Sequence, residues 1–445
     1  MLSYLESLEY LNSFINYEKK ISFPYNRRSL NLERTRKLLS LLGNPQDNLN
    51  FIHIAGTKGK GSVSAMITSV LKAAGFKTGL YTSPHLISPR ERIRIGEKLI
   101  SKNEFAYFLS LIKSKIEKLI KNFNESPTFF EIYTALALIF FAYQKVDFAV
   151  LEVGLGGRLD ATNVVSPLVG AITQISFDHT QILGKSLSLI AKEKAGIIKK
   201  KMRMVTSPQE EEALSVIRKT CKEKGIPLYE VGKEIQFQLI SYSLKGQNFR
   251  LKGIRREYIS LFIPLLGDHQ LINAATSIGV IELLEECGVF IPPEAISRGL
   301  REVKWPGRIQ ILSSNPFIIV DSAHNAASAQ ALANTLKKFF PERQIILILG
   351  MLKGKDVEGV GKALCPLAEE VVLTGINSFR SLSPLSLQGE IKKFHGGKLT
   401  IKENIKEALD YSRTKVGNND LICITGSIYL AGEALKLLGG EKFYD

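Results

Sequence analysis

The chain has 445 residues, 45% hydrophobic and 23% charged, with a formal net charge of +16. This is the composition of a folded protein of two or three domains with ample core volume. The basic residues are spread along the chain, and short runs such as 197–203 and 252–258 lack interleaved aromatic residues. The charge therefore reads as a lysine-rich surface, and nucleic acid is not an expected partner.

At the N-terminus, acidic residues come early and no basic segment precedes an apolar one, so no signal peptide is read there. The longest apolar run, IYTALALIFFAY at 132–143, is too short to cross a bilayer. Cys221, Cys287, Cys365 and Cys423 lie far apart with no C-x-x-C pair. That spacing predicts a reducing compartment and a cytoplasmic protein.

In chain order the first strong signal is FIHIAGTKGKGSVSAMITSVLKAAG, residues 51–75. Phe51 to Ala55 is an apolar run of strand length. Val63, Met66, Ile67, Val70 and Leu71 then recur at helical spacing, and Gly75 is a stop. Between them lie Gly56, Thr57, Lys58, Gly59, Lys60, Gly61 and Ser62, a glycine-rich loop at a helix N-terminus, which is the geometry that receives an anion. Only Thr57 and Lys58 separate Gly56 from the Gly59-Lys60 pair, fewer than in the usual Walker A loop, so the spacing alone leaves a plain surface turn open.

A strand at 77–83 leads into a proline-marked loop and a short hairpin. Helices follow at 102–123 and 128–144, with strands at 146–154 and 168–176. A helix at 186–198, a strand at 202–207, a helix at 211–225 and a strand at 226–231 continue the alternation, which predicts a parallel sheet covered on both faces. From about 235 to 264 the pattern becomes strand-like with polar turns, a small antiparallel addition. Helices at 269–288 and 292–303 precede the Trp305-Pro306-Gly307 linker, and a second α/β alternation runs from 316 to the end. The expected fold class is α/β. A nucleotide-binding domain with a mostly parallel sheet spans 1–303, and a smaller Rossmann-like α/β domain spans 304–445.

Several residues at predicted strand ends can carry chemistry. Glu152 closes an apolar strand and is followed by Val153-Gly154-Leu155-Gly156-Gly157. A carboxylate there lies where α/β sheets bind ligands and suits Mg²⁺. Asp178-His179 follows the next strand, at the same edge. Asp321 and His324 follow a strand of the second domain, and Arg308 follows the linker. Taken singly, each is also an ordinary turn or surface residue, and nothing in its spacing separates Lys194 from a solvated helix lysine.

Together the motifs HIAGTKGKGS, LYTSPHL, LEVGLGGRLDATN, FDH, EKAGI, GDHQLINA, WPGR, DSAHN and ITGS, in this order, resemble the folylpolyglutamate synthase and dihydrofolate synthase family, related to the Mur ligases. The resemblance implies a P-loop at Gly56 to Ser62 holding ATP phosphates, with Lys60 on the β and γ groups. It implies Mg²⁺, one or two ions, held by Ser83, Glu152, His179 and Lys194, the last matching a lysine that family members carry as a carbamate. Lys60, Lys194 and His179 would be the catalytic set. Asn273, Arg308 and Asp321 match further ATP contacts, with His324 beside them. Thr128, Phe129, Phe130 and Glu131 match a pteroate-binding segment, as do Leu159, Asp160 and Ala161, and the region of Leu32, Glu33 and Arg34 is expected to contribute. Lys58 stands where many relatives have asparagine, and Ser322 where glycine is more usual.

The chemistry so implied is ATP-dependent addition of L-glutamate to the carboxylate of a dihydropteroate or reduced folate through an acyl phosphate, in a protein expected to be monomeric. Two other readings stay open at this point. One is a Mur-type ligase acting on a nucleotide-linked precursor, which would normally need a further N-terminal domain. The other is a non-catalytic nucleotide-binding switch, which has no need of the Ser83, Glu152, His179 and Lys194 set.

Overall fold

β1 (Asn50–Ala55), β2 (Thr78–Tyr81), β3 (Ile93–Ile95), β4 (Lys98–Leu99), β5 (Phe148–Glu152), β6 (Pro167–Ile172), β7 (Arg203–Thr206) and β8 (Leu228–Glu230) form one eight-stranded sheet. They are seen in a computed structural model that describes residues 1–26 and 28–439. The order is β4-β3-β2-β5-β1-β6-β7-β8. Pairing is parallel from β2 through to β8, and antiparallel only where β3 and β4 close the edge. β1 is buried at every position but its first, and β2 and β5 throughout, as strands covered on both faces must be.

Successive side chains point to opposite faces, so the two sides of the sheet build separate cores. Ile52, Ile54, Phe148 and Val150 join the core under the helices Lys60–Ala73, Asp268–Glu285 and Pro293–Glu302. Phe51, Ala149 and Leu151 join the one under Lys102–Phe123 and Phe129–Tyr143. Gly299 lets the helix Pro293–Glu302 lie directly on Lys60–Ala73, because a Cβ there would stand 2.4 Å from the Val70 Cα. β9 (Gln236–Ser243), β10 (Gly246–Lys252) and β11 (Glu257–Ile263) make an antiparallel meander whose Phe249, Leu251, Leu261 and Ile263 join the first core.

β12 (Gln310–Ser314), β13 (Phe317–Val320), β14 (Ile345–Leu349), β15 (Glu370–Thr374), β16 (Lys398–Lys402) and β17 (Leu421–Thr425) form the third sheet, ordered β12-β13-β17-β14-β15-β16. It is parallel except for β12 at one edge. Four elements here escape the sequence reading, β12, β16 and the helices Val357–Leu364 and Pro384–Ile391, two of them for identifiable reasons. β16 is a half-buried edge strand with lysine at both ends, so it shows no apolar run. The helix Val357–Leu364 contains Gly359 and Gly361, which read as loop.

The helices Tyr4–Asn12 and Leu32–Leu41, also unread in the sequence, are amphipathic and cover the second core. Arg34 on the second of them meets Glu131 through two bonds of 2.7 Å each, with both side chains buried. That pair fixes the N-terminal segment to the helix Phe129–Tyr143.

His53 lies fully buried within β1, with Nε2 2.8 Å from Thr162 Oγ1. The threonine hydroxyl donates to Asp160 Oδ1 at 2.6 Å, so the imidazole Nε2 is the donor to the threonine. Burial holds the His53 pKa down at about 3, against 6.5 for an ordinary histidine. Between these values the unfolded chain binds a proton that the folded chain does not, so stability rises with pH across the window. Replacing His53 by glutamine is expected to flatten that rise by about 1.4 kcal/mol per pH unit, read from urea midpoints at several acidic pH values.

Candidate active site

β1 runs straight into the glycine loop. Gly56 and Gly59 adopt φ of +145° and +88°; a Cβ at the first would lie 1.9 Å from Thr173 Oγ1, and at the second 2.3 Å from Asn273 Oδ1. Only glycine fits either position. The Thr57 and Lys58 amides both donate to Gln174 O, at 3.0 and 3.1 Å, and Thr57 Oγ1 donates to Ser176 O at 3.2 Å. The loop is thereby tied to the segment leaving β6. The first amides of the helix Lys60–Ala73, those of Lys60, Gly61 and Ser62, have no intrahelical acceptor and open an anion site at the positive end of the helix.

These residues line a cleft of about 630 Å³ between the first and third sheets. Lys60 Nζ donates to Gly56 O at 3.1 Å and stands 3.9 Å from Glu152 Oε1. Glu152, at the end of β5, is buried and accepts one N–H, from Ser83, at 3.3 Å. Burial pushes its pKa up, while Lys60 and the Ser83 N–H pull the other way. A carboxylate so short of counter-charge is suited to a cation.

Lys194 is 4% exposed, and its Nζ donates to Gly56 O at 2.7 Å. Burial first, and the charge of Lys60 second, hold its pKa well below the usual lysine range. It is therefore not the solvated helix lysine that its sequence context allows. His179 sits at φ +50°, half-exposed at the cleft, with Nε2 3.8 Å from Asp178 Oδ1.

Asp178 joins the two halves of the molecule. Lys58 Nζ lies 3.0 Å from Oδ2 and Lys355 Nζ 3.4 Å from Oδ1, while Asn325 Nδ2 donates to Oδ2 at 2.9 Å. His324 Nδ1 lies 2.8 Å from Ser322 O, its donor role leaving Nε2 to accept from Lys58 at 3.5 Å. Burial would raise the Asp178 pKa, but the Lys58 and Lys355 ammonium groups outweigh it and hold the carboxyl well below its usual range. From the same side of the cleft come Arg308 and Asp321. Asp321 Oδ2 accepts from the Ile309 amide at 2.9 Å and Oδ1 from the Ala323 amide at 2.8 Å, which fixes the turn that carries Arg308.

At the other end of the cleft Phe130 packs over Gly154, where a Cβ would stand 2.6 Å from the ring Cζ. Phe129, expected beside it, is not in the cleft. The next position on a helix points about 100° away, and its ring packs in the core at 5.2 Å from that of Tyr133. Thr128 and Glu131 line the cleft but form the capping box of the helix Phe129–Tyr143, and the Glu131 carboxylate is held by Arg34. Leu159, Asp160 and Ala161 line it as well; the Asp160 carboxylate accepts from the amides of Leu155 and Thr162 at 2.9 and 3.0 Å. Leu32 and Glu33 do not line it. Lys355, Asn325, Gln270, Arg380 and Tyr17 also line the cleft; Asn325 and Gln270 lie inside the DSAHN and GDHQLINA motifs without being singled out there, and no motif marks the other three. Among the described residues no three His, Cys, Asp or Glu side chains gather closely enough to hold a metal by themselves.

Two family models match the chain: Mur ligase middle domain over residues 54–281, and Mur ligase, glutamate ligase domain, over residues 307–428. It is 35% identical over 412 residues to the dihydrofolate synthase/folylpolyglutamate synthase of Bacillus subtilis (strain 168), covering 92% of this chain and 94% of that protein. Against the folylpolyglutamate synthase of Lacticaseibacillus casei it is 32% identical over 446 residues, 99% of this chain and 100% of the relative. The crystal structure of Mycobacterium tuberculosis folylpolyglutamate synthase complexed with ADP and AMPPCP superposes with a TM-score of 0.90 at 33% identity, over 98% of each chain. Gly59→Ala is expected to distort the loop against Asn273 and weaken binding of an ATP analogue at least about tenfold, measured by direct titration.

Proposed function

The chain belongs to the Mur ligase family, and from that premise we infer that it is an ATP-dependent, ADP-forming ligase that joins L-glutamate to the carboxylate of a dihydropteroate or reduced folate. The observation that carries this reading is the convergence of the glycine loop, Glu152 and Lys194 with Arg308 and Asp321 on one cleft.

In the first step an oxygen of the acceptor carboxylate forms a bond to the γ-phosphorus of ATP, and the bond to the β,γ-bridging oxygen breaks to release ADP. The glutamate amine then attacks the acyl carbon, loses a proton, and expels phosphate. Phosphoryl transfer is chiefly a matter of positioning and charge neutralisation. The amides of Lys60, Gly61 and Ser62 and the Lys60 ammonium are assigned to the phosphates, and Asn273 shapes the loop by its contact at Gly59. Arg308, on the turn fixed by Asp321, approaches the nucleotide from the third sheet with His324 beside it. Phe130 offers its ring to the flat pterin, walled by Leu159 and Ala161. Enclosure between two sheets keeps water from the acyl phosphate.

Ser83, Glu152, His179 and Lys194 are the groups that would hold one or two Mg²⁺ ions, which when bound neutralise charge on the phosphoryl oxygens. Lys194 suits carbamylation, because its depressed pKa favours the neutral amine that reacts with CO₂. Residues 1–303 are assigned to the nucleotide half and 304–445 to the closing half of a monomer. No helix among the described residues is long and apolar enough to cross a membrane. All four thiols are free, in keeping with a reducing, cytoplasmic setting.

The relatives' names give two activities for the B. subtilis protein and one for the L. casei protein, and the two-activity reading is favoured here. Phosphate release from ATP is expected to require Mg²⁺, L-glutamate and an acceptor together, and to proceed with dihydropteroate and with tetrahydrofolate. Release with one acceptor alone would make the enzyme monofunctional, and release with neither would overturn the reading. For Lys194, a ¹³C carbamate signal is expected after incubation with labelled bicarbonate and should be absent from Lys194→Arg, whose kcat should fall by about a hundredfold or more.

A further inference from the structure

Resting on the ligase reading above, we propose that Trp305 is a positioning residue for the reaction: its indole pins the linker to the first turn of the glycine-loop helix and so sets where Arg308 enters the cleft. The chain passes from the layers around the first sheet to the third sheet once, between the helix Pro293–Glu302 and β12. That crossing starts on the glycine-loop helix itself. Besides the close approach of Gly299 to Val70, Ser69 Oγ donates to Gly299 O at 2.7 Å. The linker then doubles back along the same helix, Val303 and Trp305 walling a small hollow with Ala65, Thr68 and Ser69.

The indole ends against Gly61, where a Cβ would stand 2.8 Å from Trp305 Cζ2 and 3.2 Å from Nε1. Gly61 lies within the helix and has no positive φ to demand glycine, so the space it leaves is taken up by the ring. The Arg94 guanidinium lies over the same ring, 5.2 Å from its centre, and its Nε donates to Glu91 O at 3.0 Å. Two residues on, Gly307 turns the chain at φ +71°, its amide donating to Gln310 Oε1 at 2.9 Å and its carbonyl accepting from Ser322 Oγ at 3.0 Å. Arg308 follows directly. Its long side chain can be aimed at a phosphate only if the backbone carrying it is fixed relative to that phosphate. Asp321 fixes it to the third sheet, and Trp305 fixes it to the helix whose first amides face the anion site.

The test is a double-mutant cycle on steady-state kcat, with Trp305→Ala, Arg308→Ala and the pair. In the unaltered protein, phosphate release that shows no dependence on L-glutamate and acceptor would defeat the ligase reading itself. Given that dependence, Trp305→Ala is expected to lower kcat by about ten- to hundredfold. On the Arg308→Ala background it is expected to add less than about twofold, because its effect passes through the arginine. Trp305→Phe, which keeps a ring beside Arg94, is expected to return kcat to within about fivefold of the unaltered value. Should Trp305→Ala fail to fold by circular dichroism, Trp305→Leu takes its place in the cycle. An unchanged kcat in the folded variant, losses that multiply in the pair, or a Trp305→Phe variant no better than Trp305→Ala would overturn the assignment.

Discussion

Parallel pairing forces β1, β2, β5 and β6 to end at one edge of the first sheet, so the segments carrying Gly56, Ser83, Glu152 and Asp178 leave it side by side. Everything chemical in the molecule follows from that edge. The glycine loop is tied across it to Gln174 and Ser176, and two ammonium groups, those of Lys60 and Lys194, converge on the one carbonyl of Gly56. The third sheet obeys the same rule. β13 and β14 run parallel on either side of β17, and the loops that leave them carry Asp321, His324, Asn325 and Lys355. The cleft is the space between two such edges.

Burying this much charge in one place is unfavourable unless each group is paired or ligated. Glu152 is buried with a single ammonium near it and Lys194 is buried against a carbonyl, whereas Asp178 is surrounded by donors from both sheets. The first two are deficient in partners where phosphates and cations would enter, and the third is satisfied within the protein. The pattern of satisfied and unsatisfied groups thus carries more functional information than burial alone.

The sequence makes the local parts of this site legible and leaves the long-range parts obscure. Gly56 to Ser62 and Glu152 stand out because an apolar run stops abruptly at glycine or charge, which follows from their position at strand ends. Thr128 and Glu131 form a capping box, a local signature open to direct reading, although the resemblance directs attention to the substrate instead. Of the adjacent rings Phe129 and Phe130, only tertiary packing decides which enters the cleft. Asp178 depends on partners 120, 147 and 177 residues away, and no spacing rule can find them. β16 and the helix Val357–Leu364 are invisible for a different reason: an edge strand capped by lysines and a helix holding two glycines carry weak local signals that their packing overrides.

The central claim is that the acceptor carboxylate is activated as an acyl phosphate in this cleft, and the fate of its oxygen tests that directly. With the acceptor carboxylate labelled with ¹⁸O and turnover run in ordinary water with ATP and L-glutamate, one labelled oxygen is expected in each inorganic phosphate released, seen by mass spectrometry. Phosphate carrying no label would mean that ATP is hydrolysed or that the amide forms by another route, and would contradict the account.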